Sequence, residues 1–309
     1  TYQAHRSSES LPRPWLNNFF VVLVIVNCWS TPVLQHFMRG HQGTERIACL
    51  IFDVILNMGS SILIPVIVFL PYYETFIPAI FSFPYELLSD AIFFSRLVME
   101  NQMLFSLSNL DIFSRVIPHL GIFSSLVSVA TLIHRKGSRR SSRVLSADSI
   151  AKSRLAALPG KRSSSTTIDS PSRSAVALVS RKKKTLIHTF FFVWGLVVLV
   201  LHVRGVVRAQ STVLGCRQVT GSWFTQEYPC SVYEYNCYRH GTITPDEDSW
   251  KELDESSLVY LVVTHCSELR VPRHFQNFPN LLGVALFNTT IVEWSKESSV
   301  SATKHPKMV

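Results

Sequence analysis

The chain has 309 residues, 47% of them hydrophobic and 17% charged, with a mean hydropathy of +0.21. That charge fraction is below the roughly 25% usual for soluble domains, and the apolar residues are clustered, which argues against an ordinary soluble globular protein. The net charge of +9 does not point to nucleic acid either: residues 134–184 hold 14 Lys/Arg against two acids, a local +12 that leaves −3 for the rest.

Residues 1–14 form a polar flank. The first apolar segment is Trp15–Phe37, with its most apolar stretch at Phe19–Val26 and Pro32 in its weaker second half. The second is Ile47–Leu70. About 30 Å of hydrocarbon requires about 20 helical residues, so both are expected to span, and backbone groups in lipid must be satisfied within a helix. Asp53 and Asn57 lie four residues apart on one face of the second span. An acid there is either a polar contact between helices or an ion- or proton-handling group. Cys28 and Cys49 read as small buried residues of the spans.

Residues 75–94 are apolar but interrupted by Pro78, Pro84, Glu86 and Asp90. They are expected to form an interfacial or packed external loop, with a further span as the alternative. Asp111 and Arg115, again four apart, are expected to pair at the start of the third span, Val116–Ile133.

The 134–184 tract is rich in Ser, Arg and Lys and too poor in apolar residues to offset ordering entropy, so it is expected to be disordered. Three readings compete: a topology determinant, electrostatic attachment to anionic inner-leaflet lipid, and phosphoregulation. Ser142 and Ser164 follow pairs of basic residues, and Ser170 precedes Pro171.

The next span is residues 185–203, containing the run LIHTFFFVWGLVVLVLHV. Loop charge sets its direction. The basic 134–184 loop and the short 38–46 loop belong in the cytoplasm, and the acidic 71–102 loop outside. Four spans satisfy this alternation and leave the C-terminal segment outside. Arg204 and Arg208 oppose that direction, but Arg181–Lys184 at the inner end outweighs them.

An external, Cys-bearing cap is expected over 204–257. Cys216, Cys230, Cys237 and Cys266 all follow the last span, where disulfides are permitted; four cysteines allow three pairings. Asn288-Thr289-Thr290 is a glycosylation sequon, which makes sense only outside.

Residues 258–294 carry a repeat. Leu258, Leu261 and Val263 fall on Leu281, Val284 and Leu286 at a constant shift of 23. His265 falls on Asn288, Leu269 on Val292 and Val271 on Trp294. The first copy reads L-x-x-L-x-V-x-x-C-x-x-L, with Phe275 and Phe278 on the return limb. A period of 20–29 residues with this spacing is that of leucine-rich repeats, which need about three copies to be stable. The array is therefore expected to be incomplete here, and the polar tail 295–309 to be disordered. Because the chain begins at Thr1 and the repeats have barely begun, a fragment of a longer protein is expected.

Three stretches, NCWSTPVLQHF (Asn27–Phe37), IPVIVFLPYY (Ile64–Tyr73) and Asp111–His119, precede a basic loop, a last span and repeats reading VTHCSELRVPRHFQNFPNL. Together they resemble the polytopic leucine-rich-repeat membrane proteins of the oomycete type. The resemblance implies a mainly α fold, a multi-span helical membrane region followed by a small external α/β repeat segment. It also implies a longer array than this chain carries.

No G-x-S-x-G, H-E-x-x-H, P-loop or kinase signature occurs, and the histidines are scattered, so neither an enzyme nor a metal or cofactor protein is expected. The leading expectation is a receptor-like surface protein without a kinase domain, anchored in the bilayer and recognising an external protein or glycan. The alternative is a small transporter or channel subunit using Asp53.

Overall fold

The computed structural model describes residues 2–38, 42–105, 108–131 (apart from 118, 125, 128 and 129), 172–210, 213–225 and 227–308. The chain divides into two compact units. One comprises Thr1–Cys28, Met58–Ser114 and Trp194–Val309; the other comprises Trp29–Asn57 and Arg115–Val193.

A short helix α1 (Tyr2–Ser10) precedes α2 (Pro14–Phe37). Pro14 opens α2, where a missing N–H costs nothing. Next come α3 (Gln42–Met58), a π-helical turn at Gly59–Leu63 and α4 (Ile64–Thr75), with no break in helical backbone between them. Three stretches are long and apolar enough to cross a membrane: Pro14–Phe37, Ile47–Thr75 and Thr185–Ala209. The second continues past its expected end at Leu70, because a proline inside an apolar helix is tolerated where its neighbours re-satisfy the backbone.

Residues 75–94 do not form a spanning helix. They fold as a turn at Pro78–Ile80, a short α5 (Tyr85–Leu88) and the beginning of α6 (Ala91–Leu104), whose first turn is capped by the Asp90 side chain. A further helix, α7, follows, and its described residues include 109–117 and 119–124. The predicted third span, Val116–Ile133, lies only partly within the described residues.

The last helix, α8 (Ser172–Ala209), corrects two boundaries. It begins inside the basic tract, so 172–184 is helical where disorder was expected, and it runs on past Val203 to take in Arg204 and Arg208. Once an apolar span has nucleated a helix, each further residue adds a backbone hydrogen bond, and Lys, Arg and Ala extend it at little cost. Residues 132–171 lie outside the described residues. At its C-terminal end α8 closes on the segment that follows it: a Cβ on Gly205 would stand 2.5 Å from the Gly221 carbonyl oxygen, so only glycine fits.

The C-terminal segment is a small α/β module. Its strands are β1 (Cys216–Val219), β2 (Cys230–Asn236), β3 (Tyr260–Thr264), β4 (Leu269–Arg270), β5 (Gly283–Phe287) and β6 (Ile291–Glu293), with a single-turn helix α9 (Cys237–His240) after β2. The main sheet runs β1-β2-β3-β5, and β4 pairs with β6. β1 is antiparallel to β2; the other pairs are parallel.

The parallel register reproduces the 23-residue shift. Leu261 stands opposite Val284 and Val263 opposite Leu286. His265 and Asn288, equivalent under that shift, both take left-handed backbone angles, φ 58 and 49. Leu258, Leu261, Val263, Cys266, Leu269, Phe275, Phe278 and Leu281 are all buried in one core. Alternation along each strand sends these residues inward together.

Two features extend this pattern beyond the expected 258–294. Tyr233 stands opposite Leu261 and Tyr235 opposite Val263, so Cys230, Tyr233 and Tyr235 make an earlier rung within the expected cap. The tail 295–308 is ordered. A 3-10 turn at Lys296–Ser298 follows the turn at Arg273–Asn277 by the same shift. Ser298 donates its hydroxyl to the Val271 carbonyl at 2.9 Å, and the His305 ring meets the Phe275 carbonyl at 3.2 Å. Polar side chains occupy inward positions there, which a hydropathy pattern does not register.

Candidate functional site

The sheet has two faces, and only one is the core. Val232 and Tyr260, opposite each other in register, alternate with the core residues and so belong to the other face. Val232 is nonetheless 1% exposed. The cover is α6: Phe94 meets Tyr260 edge-on at 6.1 Å between ring centres. Gln218 on β1 donates to Ser231 Oγ at 3.1 Å and to Ser95 Oγ at 3.4 Å. The strand beginnings therefore rest on a helix of the same chain.

Two buried ion pairs hold the N-terminal flank in the same unit. Arg13 grips Glu100 with two nitrogens, Nε to Oε1 at 2.7 Å and Nη2 to Oε2 at 2.5 Å, and Tyr72 donates its hydroxyl to Oε2 at 2.7 Å. The Glu100 side chain is fully buried. A bidentate guanidinium with an added hydroxyl supplies the geometry that makes such burial tolerable.

The second pair joins Arg6 to Asp111, which also accepts from Tyr2 Oη and from the Ser108 amide, both at 3.0 Å. Burial opposes the Asp111 charge, but Tyr2, Arg6 and the Ser108 amide together hold its carboxyl below the ordinary range. The expected i, i+4 pairing with Arg115 did not anticipate a partner from the first helix. None of these pairs has a local sequence signature; an arginine and an acid flanking apolar runs are the one available hint.

At the other end of the stack the finish is different. Phe287 is 53% exposed and Val292 54%, and Ile291 and Trp294 are exposed beside them. Asn288 is exposed in this same corner, next to the last strand. The four cysteines that follow α8 pair as Cys216–Cys230 and Cys237–Cys266. The first bond ties β1 to the earliest rung, and the second ties that rung to the next. Tyr233, buried beside them, has its hydroxyl pushed up to about 12 by burial and by the neighbouring Tyr235 and Glu252.

A polar cavity of about 140 Å³ lies within the first unit, lined by Glu9, Met99, Gln102, Ser257, Asn280 and Lys307 among others. Burial pushes the Glu9 carboxyl up, against the pull of His5, and burial lowers the Lys307 ammonium with help from Arg6. Ser256 and Ser257 in its lining both donate to Asp254.

Asp53 and Asn57 lie on α3, both half-buried, in the unit that does not contain the sheet. Cys49 is buried and Cys28 half-buried, both as free thiols. Ser142, Ser164 and Ser170 lie outside the described residues. Among the described residues no group of three or more His, Cys, Asp or Glu could hold a metal ion. No family model, curated protein or solved structure matches the chain.

Proposed function

We propose that this chain is a membrane-anchored surface protein whose external module is a leucine-rich-repeat array that recognises a protein or glycan. The observation that carries this reading is the parallel β3–β5 register at the 23-residue shift, with the repeat's apolar positions buried together. Stacked units of this kind bury one continuous core and leave an extended surface for binding. Here α6 occupies the sheet face at the start of the strands, so the ligand surface is the last rung, around Phe287, Ile291, Val292 and Trp294.

The same packing supports a reading of the direction across the membrane. The N-terminal flank, the 76–114 segment and the disulfide-bearing module belong to one unit, so they share one side of the bilayer. Two spans separate the flank from 76–114, which returns the chain to that side. One span, Thr185–Ala209, precedes the module, so a further crossing falls between 114 and 185, and the apolar 116–133 run supplies it. Loop charge makes this shared side external, an oxidising compartment suits both disulfides, and Asn288 is the glycan acceptor. The basic tract then faces anionic inner-leaflet lipid.

The test is a binding screen of the full-length protein in nanodiscs against cell-surface proteins and glycans. A ligand lost in Phe287→Ser/Trp294→Ser, with thermal stability kept, supports the reading. Absence of any ligand counts against it. A glycosidase-sensitive gel shift that vanishes in Asn288→Gln checks the orientation separately.

A further inference from the structure

The loop between the second span and α6 exposes a set of large apolar side chains that the recognition module does not use. Tyr73 is 81% exposed, Ile80 61%, Phe81 86% and Tyr85 81%. They do not belong to a loose segment. The Ile77 amide donates to the Ser82 carbonyl at 2.9 Å, closing a tight turn with Phe81 in it. Beneath the turn Tyr72, Phe76, Phe83 and Phe93 pack edge-to-face, with ring centres 5.5 to 6.4 Å apart. One set of aromatics is spent holding the other outward.

Phe81 itself has φ 49. A bulky residue in the left-handed region is strained where glycine would not be. The turn keeps an aromatic side chain in its most exposed place despite that strain.

The position names the partner. Tyr73 stands in the last turn of the candidate span Ile47–Thr75, so the loop is continuous with a lipid-facing surface. Trp15, 55% exposed, opens the candidate span Pro14–Phe37, and the Arg13–Glu100 pair holds that end on the same side as α6. Tyr and Trp collect at the headgroup level, where one end of the ring is apolar and the other wet. Between Pro71 and Ser95 the chain carries Glu74, Glu86 and Asp90 and no Lys or Arg. Such a loop does not favour anionic lipid; it suits a zwitterionic surface.

We propose that residues 73–85 form a lipid anchor, with Ile80 and Phe81 seated at the headgroup–acyl boundary of zwitterionic phospholipid, on the side of the disulfide-bearing module. The anchor gives the external unit a second hold on the bilayer beside its helices and limits how far the module can tilt.

The test uses the full chain in phosphatidylcholine nanodiscs, with Cys28→Ala and Cys49→Ala removing the free thiols. An environment-sensitive nitrobenzoxadiazole label is attached at Phe81→Cys, with Ile243→Cys, an exposed site on the module, as reference. The expected result is blue-shifted emission at 81, quenched by phosphatidylcholine spin-labelled near the carbonyl, and water-like emission at 243. Tyr85→Cys gives the same reading if Phe81→Cys does not fold. Water-like emission at 81 overturns the proposal. Blue-shifted emission without quenching by lipid also overturns it, since a protein surface would then be the cover.

Discussion

The first rung of the main sheet and the last share one strand spacing, yet they end differently. The first is overlaid by β1, tied by Cys216–Cys230 and Cys237–Cys266, and filled with Tyr233, Tyr235 and Trp250, all 3% exposed or less. The last leaves Val284 and Leu286 half-buried and Phe287, Ile291 and Val292 largely in the open. A rung cannot bury its own apolar side. What covers it decides whether the same residue pattern becomes core or surface, and here one end is closed by disulfides and aromatics while the other presents an apolar face.

This contrast can be broken from the closed side first. Phe278→Ala removes a fully buried ring from the shared core and should cost about 3–5 kcal/mol. The readout is thermal unfolding of the full-length protein in detergent, and a loss below about 1 kcal/mol would mean the core is not closed. Cys237→Ala/Cys266→Ala opens a link of sequence separation 29. In the chain-entropy account a loop of that length is worth about 3–4 kcal/mol. Reducing agent also opens Cys216–Cys230, so it should lower the melting temperature of the parent more than that of the variant.

The open side should respond weakly. Leu286→Ala, half-buried in the last rung, should cost about 1 kcal/mol, and Phe287→Ser should fall within about 0.5 kcal/mol of the parent. If Leu286→Ala costs as much as Phe278→Ala, the last rung is covered in solution.

The smallest expected effect concerns acid. The Asp111 carboxyl is held below its ordinary range by Tyr2, Arg6 and the Ser108 amide, against burial. A depressed carboxylate contributes fully above its unfolded value of about 3.9 and loses that contribution as pH falls through the lower folded value. Melting temperature measured below about pH 4 should therefore fall less steeply in Asp111→Asn than in the parent, from a lower starting stability. Equal slopes would remove Asp111 from the account.

Hydrophobic periodicity alone locates much of this fold. The apolar runs at 15–37, 47–70 and 185–203 lie within helices long enough to span, and the 23-residue shift between Leu258 and Leu281 returned as strand register. Both follow from local rules, since a run of apolar residues near twenty and an alternation of period two need no knowledge of partners. The earlier rung escaped because its inward positions are Cys230, Tyr233 and Tyr235, and the later turn because its inward residue is Ser298. Helix α8 outran its expected start at 185 because a helix, once formed, extends into residues whose own composition reads as polar.

Only the tertiary structure decided the pairings. Three cysteine pairings were open in the sequence, and spatial proximity selected Cys216–Cys230 and Cys237–Cys266. Arg13 found Glu100 and Arg6 found Asp111 across most of the membrane region, and α6 came to rest on the sheet face. Each depends on residues far apart in the chain meeting at a distance of a few ångströms, which a local pattern does not encode. The sequence by itself determined which segments seek lipid, which repeat, and where disulfides are allowed. Folding determined which face of the repeat stays exposed, because burial is a property of neighbours rather than of residues.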